Sequence, residues 1–346
     1  MAEKINIREL ARRSGVSVGT VSRALNGYPD VRKETRERVL ALAEELEYTP
    51  NAAARRLVTR RSDVVGVFLD TGEGHPDLQH PFFHEVLVGV KRHLGVAGYD
   101  LLLFASEREG TGVHPRSYLQ RCLHHGVAGV VVMGVDADAP EIGRLARSAL
   151  PVVSIDLELE GRATTWVTSD SESGAAQAVS HLSALGHRRV GHIAGPLDTS
   201  PGRARLRGFQ RAMAASGLAY DDALIAYGDY YFESGQAAME HLLALAEPPT
   251  AVFAASDMMA IGAMRAVHEA GLSVPRDISI VGFDDIAAAG MSRPSLTTVK
   301  QDMQAVGAAA VEALLGYLAE DGAEEPAAQT TLPVELVTRE STAPAE

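Results

Sequence analysis

The chain has 346 residues, 46% hydrophobic and 22% charged, a globular composition that excludes a disordered, collagen-like or coiled-coil protein. At about 150 residues per domain, that length predicts roughly two to three domains. The net charge of −13 argues against a nucleic-acid partner only as a sum, because residues 1–62 carry 13 Lys and Arg against 8 Asp and Glu, net +5, and the remainder carries −18.

The single cysteine, Cys122, cannot form an internal disulfide and suits a reducing cytoplasm. No stretch approaches the ~18 consecutive apolar residues of a membrane span. The N-terminal MAEKINIRELARRSG lacks the apolar run of a signal peptide. A cytoplasmic protein with no membrane partner is expected.

In chain order, Asn6 can cap a first helix over Ile7 to Arg13, with Glu9 bonding back to it. Ser14-Gly15-Val16 breaks that helix, and Ser17 can cap a second over Val18 to Leu25. The pair predicts a helix-turn-helix. Asn26-Gly27-Tyr28-Pro29 ends the second helix, and Val39, Leu42, Ala43 and Leu46 lie at helical spacing in a third, from about Lys33 to Glu47. In the second helix Val21, Ala24 and Leu25 point inward and leave Val18, Gly19, Ser22 and Arg23 outward. An exposed Arg with small neighbours fits a DNA major groove, where a guanidinium pairs with guanine O6 and N7. Thr20, Ser22, Asn26 and Thr35 can donate to phosphates. Asn51 can cap a short helix through Ala54 to Leu57, too short to persist alone in water.

VSVGTVSRALNG followed by VRKETRERVLALAEELEYTPNAAARRL resembles, nearly without gaps, the DNA-binding head and hinge of the lactose/galactose repressor (LacI/GalR) family. The resemblance implies that Val18 and Gly19 choose bases and that Arg23 reads a further one. It also implies that hinge helices pair in a dimer and that Leu57 wedges between base pairs of the minor groove. Asn6, Ser17, Asn51 and Ala54 complete the expected DNA-contacting set. The implied partners are a roughly palindromic double-stranded operator and a second copy of the chain, since a two-fold dimer reads a two-fold site.

From Asp63 apolar runs alternate with helical patterns. Buried strands are expected at Val64 to Leu69, Asp100 to Phe104, Gly129 to Met133, Pro151 to Ile155, Val190 to Ile193, Ala251 to Ala254 and Ile278 to Val281. Amphipathic stretches such as Phe83 to Leu94 and Ala175 to Leu185 lie between them, the βαβ pattern of a bilobed α/β body of two parallel-sheet, Rossmann-like units. Ligands of such a body sit in the cleft at the carboxyl ends of strands.

Here HLSALGHRRVGHIAGP, RARLRGF, AASDMMAIGAMRAV, DISIVGFDD and PSLTTVKQDM resemble the effector-binding core of the same family. That core is similar to periplasmic sugar-binding proteins, with three crossovers between lobes. The implied organisation is a helix-turn-helix domain at 1–49, a hinge at 50–62 and an effector-binding and dimerisation domain at 63–340. Its first lobe takes about 63–165 and 300–326, and its second about 166–299 and 327–340, followed by a polar tail at 341–346. A carboxylate accepts from sugar hydroxyls and an Arg fork donates to sugar oxygens. The family match places Asp284 and Arg205 in those roles and Tyr230 and Phe82 as aromatic contacts; Asp156, just after the strand ending at Ile155, is a further candidate. Ser256 stands where several sugar-responding members carry Asn. The implied effector is a mono- or oligosaccharide, with a purine- or other metabolite-responsive regulator of the same fold, or a solute-binding protein, as the alternatives.

No catalytic residue, metal or cofactor is expected. Gly15 to Gly19 matches G-x-S-x-G, but the segment before it is a polar helix and not the buried strand a nucleophile elbow needs. His124-His125 lacks metal-ligand spacing. Gly195 to Thr199 lacks the G-x-x-x-x-G-K pattern of a phosphate loop. Cys122 reads as a buried, inert thiol.

Overall fold

The computed structural model describes residues 5–48, 62–69, 77–105, 117–135, 139–319 and 328–345. The expected hinge helix, with Asn51, Ala54 and Leu57, lies outside these residues. The chain divides into two compact units, Met1–Ser62 and Asp63–Glu346.

The first unit holds three helices, α1 (Ile7–Ser14), α2 (Val18–Leu25) and α3 (Lys33–Glu45). Asn6 caps α1 by accepting from the amides of Arg8 and Glu9. The expected reciprocal bond from Glu9 is replaced: its carboxylate pairs with Arg12 and Arg13 one turn on, where charge assistance outweighs a bond to the neutral Asn6 amide. Gly15 ends α1 at φ 68°, a left-handed turn that glycine adopts without strain, and Ser17 starts α2 by accepting from the Thr20 amide. Leu10, Val21, Ala24 and Val39 form the buried centre where the three helices meet.

The second unit contains two six-stranded sheets. The first has the order β11-β5-β4-β3-β1-β2, all parallel, from Thr330–Leu332, Thr164–Ser169, Val152–Ile155, Gly129–Met133, Val64–Leu69 and Asp100–Phe104. The second has the order β12-β10-β9-β8-β6-β7, from Val334–Val337, Thr297–Gln301, Ser279–Asp284, Ala251–Ala254, Val190–Ala194 and Ile225–Tyr227. It is parallel except for β12, which runs antiparallel to β10 at the edge. Helices such as Pro81–Val96, Ser171–Ala184 and Met303–Ala319 cover the sheets, and the central strands are apolar because both their faces are buried.

The three crossings between lobes fall after Ser169, Gln301 and Leu332, a few residues later than the expected 165, 299 and 326. Each crossing waits for a strand to finish, and Pro333, which has no N–H to donate to a ladder, separates β11 from β12. Thr330–Leu332 and Val334–Val337, adjacent in sequence, are thus two strands in different sheets.

The C-terminal residues are not a free polar tail. Ser341 is fully buried; its Oγ donates to the Ile280 carbonyl at 2.6 Å and accepts from the Thr297 amide at 2.8 Å. Its backbone carbonyl accepts from Ile280, and Ala345 donates to Leu185. His187 bonds Ala343 and Thr250 and reinforces this strap. Small polar residues serve here because they satisfy strand-edge groups that would otherwise be buried without partners.

Candidate functional sites in the head and the cleft

In the head, α2 presents Val18, Gly19 and Arg23 to solvent, as its periodicity predicts. Ser17 and Thr20 share a hydroxyl contact of 2.9 Å, and the Asn26 amide donates to the Ser22 carbonyl at 2.8 Å. These bonds fix the ends of α2 and leave further lone pairs and protons of the same groups unused by them. Ser22 and Thr35 are half-buried. The Arg23 guanidinium lies 3.4 Å from Asp30, with both side chains about half exposed. Such a surface pair is worth about 0–1 kcal/mol, so the guanidinium can exchange readily to another partner. The same geometry opposes the hydrolase reading of Gly15 to Gly19, since Gly15 ends one helix, Ser17 caps the next, and the segment immediately before them is α1 and not a strand.

In the core, a cavity of about 500 Å³ is lined from the first lobe by Phe82 and Asp156 and from the second by Arg205, Tyr230 and Asp284. Five of the six expected effector residues therefore come together. Arg205 lies on the helix Ser200–Ala215 and Asp284 ends β9; both are almost wholly buried, with Nη2 and Oδ1 3.9 Å apart. The guanidinium also donates to the Ala255 carbonyl at 2.5 Å and stacks over the Phe283 ring at 3.7 Å. Gln301 donates to Asp284 Oδ1 at 2.6 Å. Burial raises the Asp284 carboxyl to about 6 against the lowering effects of Arg205 and Gln301. Asp156 accepts from Thr168 Oγ1 at 2.7 Å, and burial raises its pKa as well.

Asp284 is not a helix cap. Its neighbour Asp285 bonds Arg339 at 2.5 Å, and the amide of Ile286 is satisfied by Asp257, a fully buried carboxylate that also accepts from Thr298 at 2.5 Å. The turn is thus held from behind, and Asp284 is left to the cavity. Asp257 is protonated more readily than an exposed carboxyl, through burial and then the charge of Asp284.

Tyr230 packs its ring against Gly195, where a Cβ would come within 2.4 Å of the ring, and its hydroxyl lies 3.1 Å from Thr199 Oγ1. Ser256, expected as an effector contact, is not among the cavity-lining residues. It caps the helix Asp257–Glu269, accepting from Met259, and donates to the Tyr230 carbonyl at 3.1 Å. A short Ser side chain is used up on its own backbone, and it acts on the site through Tyr230. Asp156, Tyr230, Asp284 and Asp285 all have positive φ, at 57°, 75°, 122° and 59°. Backbone strain gathered at one cavity is a recurrent mark of a functional site.

Sequence reasoning missed His80, Tyr118 and Gln301 as cavity residues. Tyr118 stacks on Phe68, which stacks on Phe104, each at 4.3 Å, and Arg121 lies over both phenylalanine rings. This platform is assembled from three elements and leaves no local pattern. Among the described residues no group of three or more His, Cys, Asp or Glu is placed to hold a metal, and no helix is long and apolar enough to cross a membrane. Burial raises the Cys122 thiol to about 12, which keeps it protonated and unreactive.

Residues 6–51 match the family described as "Bacterial regulatory proteins, lacI family", and residues 179–342 match the "Periplasmic binding protein-like domain". The chain is 37% identical to the HTH-type transcriptional regulator CelR of Thermobifida fusca over 95% of its own length and 94% of that protein's. Among solved structures it resembles the CelR–cellobiose complex, with a TM-score of 0.71, 32% identity and coverage of 97% and 99% of the two chains. It also resembles the lac repressor dimer bound to operator and the anti-inducer ONPF, with a TM-score of 0.83, 30% identity and coverage of 99% and 100%. A DNA-reading head joined to a ligand-binding core makes this protein a ligand-responsive DNA-binding regulator of transcription and not an enzyme. The chain belongs to the LacI family of bacterial regulatory proteins.

Proposed function

We propose that this regulator is a cytoplasmic homodimeric repressor of a roughly palindromic operator, and that a mono- or oligosaccharide bound between Arg205 and Asp284 controls its grip on DNA. The observation that carries this reading is the cavity itself. A buried acceptor, Asp284, stands beside a buried donor fork, Arg205, under the aromatic wall of Tyr230 and Phe82. Hydroxyl-rich ligands need that combination, because each hydroxyl both donates and accepts and each sugar ring offers an apolar face. The head supplies Val18, Gly19 and Arg23 for bases, with Asn6, Ser17, Thr20, Ser22, Asn26 and Thr35 positioning the phosphates.

The ligand acts by binding one lobe arrangement better than the other, a coupling of typically about 1–3 kcal/mol. Calorimetric titration of the purified chain with neutral mono- and disaccharides, and with hypoxanthine and guanine as the purine arm, tests the reading. Saccharide binding is the expected result; binding of a purine alone assigns the cavity to the other ligand class.

A further inference from the structure

We propose that His80 is a positioning residue that latches the two lobes together across the cleft. It stands just ahead of the first-lobe helix Pro81–Val96 and caps it, with Nδ1 accepting from the Phe82 amide at 3.3 Å. An accepting Nδ1 in a neutral ring puts the proton on Nε2, and Nε2 lies 3.3 Å from the carbonyl of Tyr230 in the second lobe. The imidazole is buried, edge-on to Phe83 of its own lobe and to Tyr231 of the other. Burial holds its pKa down to about 4; of the nearby charges Arg205 adds to that lowering and Asp229 opposes it.

The Tyr230 carbonyl therefore receives one donor from each lobe, His80 Nε2 from the first and Ser256 Oγ from the second. A carbonyl has two lone pairs, so both bonds form together. They hold Tyr230 in its left-handed backbone conformation, with its ring on Gly195. The Ser256 bond survives any movement of the lobes, whereas the His80 bond exists only while the lobes meet at this edge. His80 thus favours the arrangement in which Phe82 and Tyr230 wall the same cavity, and a ligand that fits this arrangement binds more tightly for it.

The inference rests on the cleft being the effector site, and its first test needs no ligand. Hydrogen–deuterium exchange is measured over residues 228–232 in the full chain for wild type, His80→Asn and His80→Gln. Asn keeps the helix cap but is too short to reach Tyr230; Gln keeps a donor near the Nε2 position. The expected result is exchange several-fold faster in His80→Asn with an unchanged melting midpoint, and near wild-type exchange in His80→Gln. For any saccharide that binds, half-saturation in His80→Asn rises about three- to tenfold, the worth of one net hydrogen bond. Unchanged exchange in a folded His80→Asn overturns the latch, as does fast exchange in His80→Gln, which alone decides if His80→Asn does not fold. A latch that passes while no saccharide binds condemns the effector reading and leaves the latch standing.

Discussion

Arg205 and Asp284 face each other across 3.9 Å with almost no exposure to solvent, yet Asp284 accepts a hydrogen bond from Gln301 and not a close one from Arg205. The pair is near enough to compensate charge and far enough apart for a hydroxyl to bond both. Replacing Asp284 with Ala should leave operator affinity intact and weaken effector binding about ten- to hundredfold, the range for hydrogen bonds to a charged group. Calorimetry of the effector and fluorescence anisotropy of labelled DNA, run on the same variant, check both halves.

The elevated Asp284 pKa gives a pH signature. A carboxyl raised from 3.8 to about 6 holds its proton more tightly in the folded chain, so its contribution to stability is full below about 4 and is lost as pH rises through about 6. Asp284→Asn lacks this dependence. Melting midpoints of the two proteins should therefore converge or cross in favour of wild type on going from pH 7 to pH 5, while effector affinity of wild type falls as the accepting carboxylate is protonated. The buried, proton-poor histidines His80, His187 and His192 are common to both proteins and cancel in the difference, whereas Asp257, which the Asp284 charge helps to raise, is raised less in the variant and adds to the difference in the same direction.

Gly195→Ala should disable the response without touching the head. The new Cβ meets the Tyr230 ring at 2.4 Å, too close for any real contact, so the ring must leave its place. Effector affinity should fall at least about tenfold while operator binding persists. Wild-type dose–response in this variant would show that the position of the Tyr230 ring is irrelevant to the ligand.

In the head, Arg23→Ala should weaken the preferred operator by about 1–3 kcal/mol and relax preference at one position of each half-site. Asp30→Ala should tighten DNA binding slightly, because it removes both a competitor for Arg23 and a charge that repels phosphate. Selection from randomised half-sites distinguishes a lost base contact from a uniformly weaker grip.

Deleting residues 341–346 should destabilise the second unit by several kcal/mol, about 0.5–1.5 for each hydrogen bond lost. Ser341 alone satisfies groups of Ile280 and Thr297 at the centre of that lobe. A denaturant midpoint unchanged by the deletion would return these residues to the status of a loose tail.

The apolar strands were legible because a parallel strand buried on both faces must be almost wholly apolar, and Val64–Leu69, Gly129–Met133 and Ala251–Ala254 are so built. Thr164–Ser169 and Thr297–Gln301 escaped because they are buried but polar. Thr298 is satisfied by Asp257 and Thr297 by the C-terminal strap, partners far away in sequence. Arg205, Asp284, Tyr230 and Phe82 were placed by resemblance to relatives and Asp156 by its place at the end of a strand, and the fold brings them to one cavity. His80 was invisible for a physical reason: as an N-cap before Pro81 it reads as local chemistry, and its second bond exists only after two lobes meet.

The claim that ligand reading and DNA reading are separate functions of separate units is tested most directly by anisotropy of the protein on its own upstream DNA. Neutral saccharides are titrated against wild type, Asp284→Ala and Arg23→Ala. The expected result is that a saccharide shifts wild-type DNA affinity, that Asp284→Ala binds the same DNA equally well but no longer responds, and that Arg23→Ala binds less selectively. Equal loss of DNA binding in Asp284→Ala and Arg23→Ala, or an undiminished saccharide response in Asp284→Ala, would contradict it.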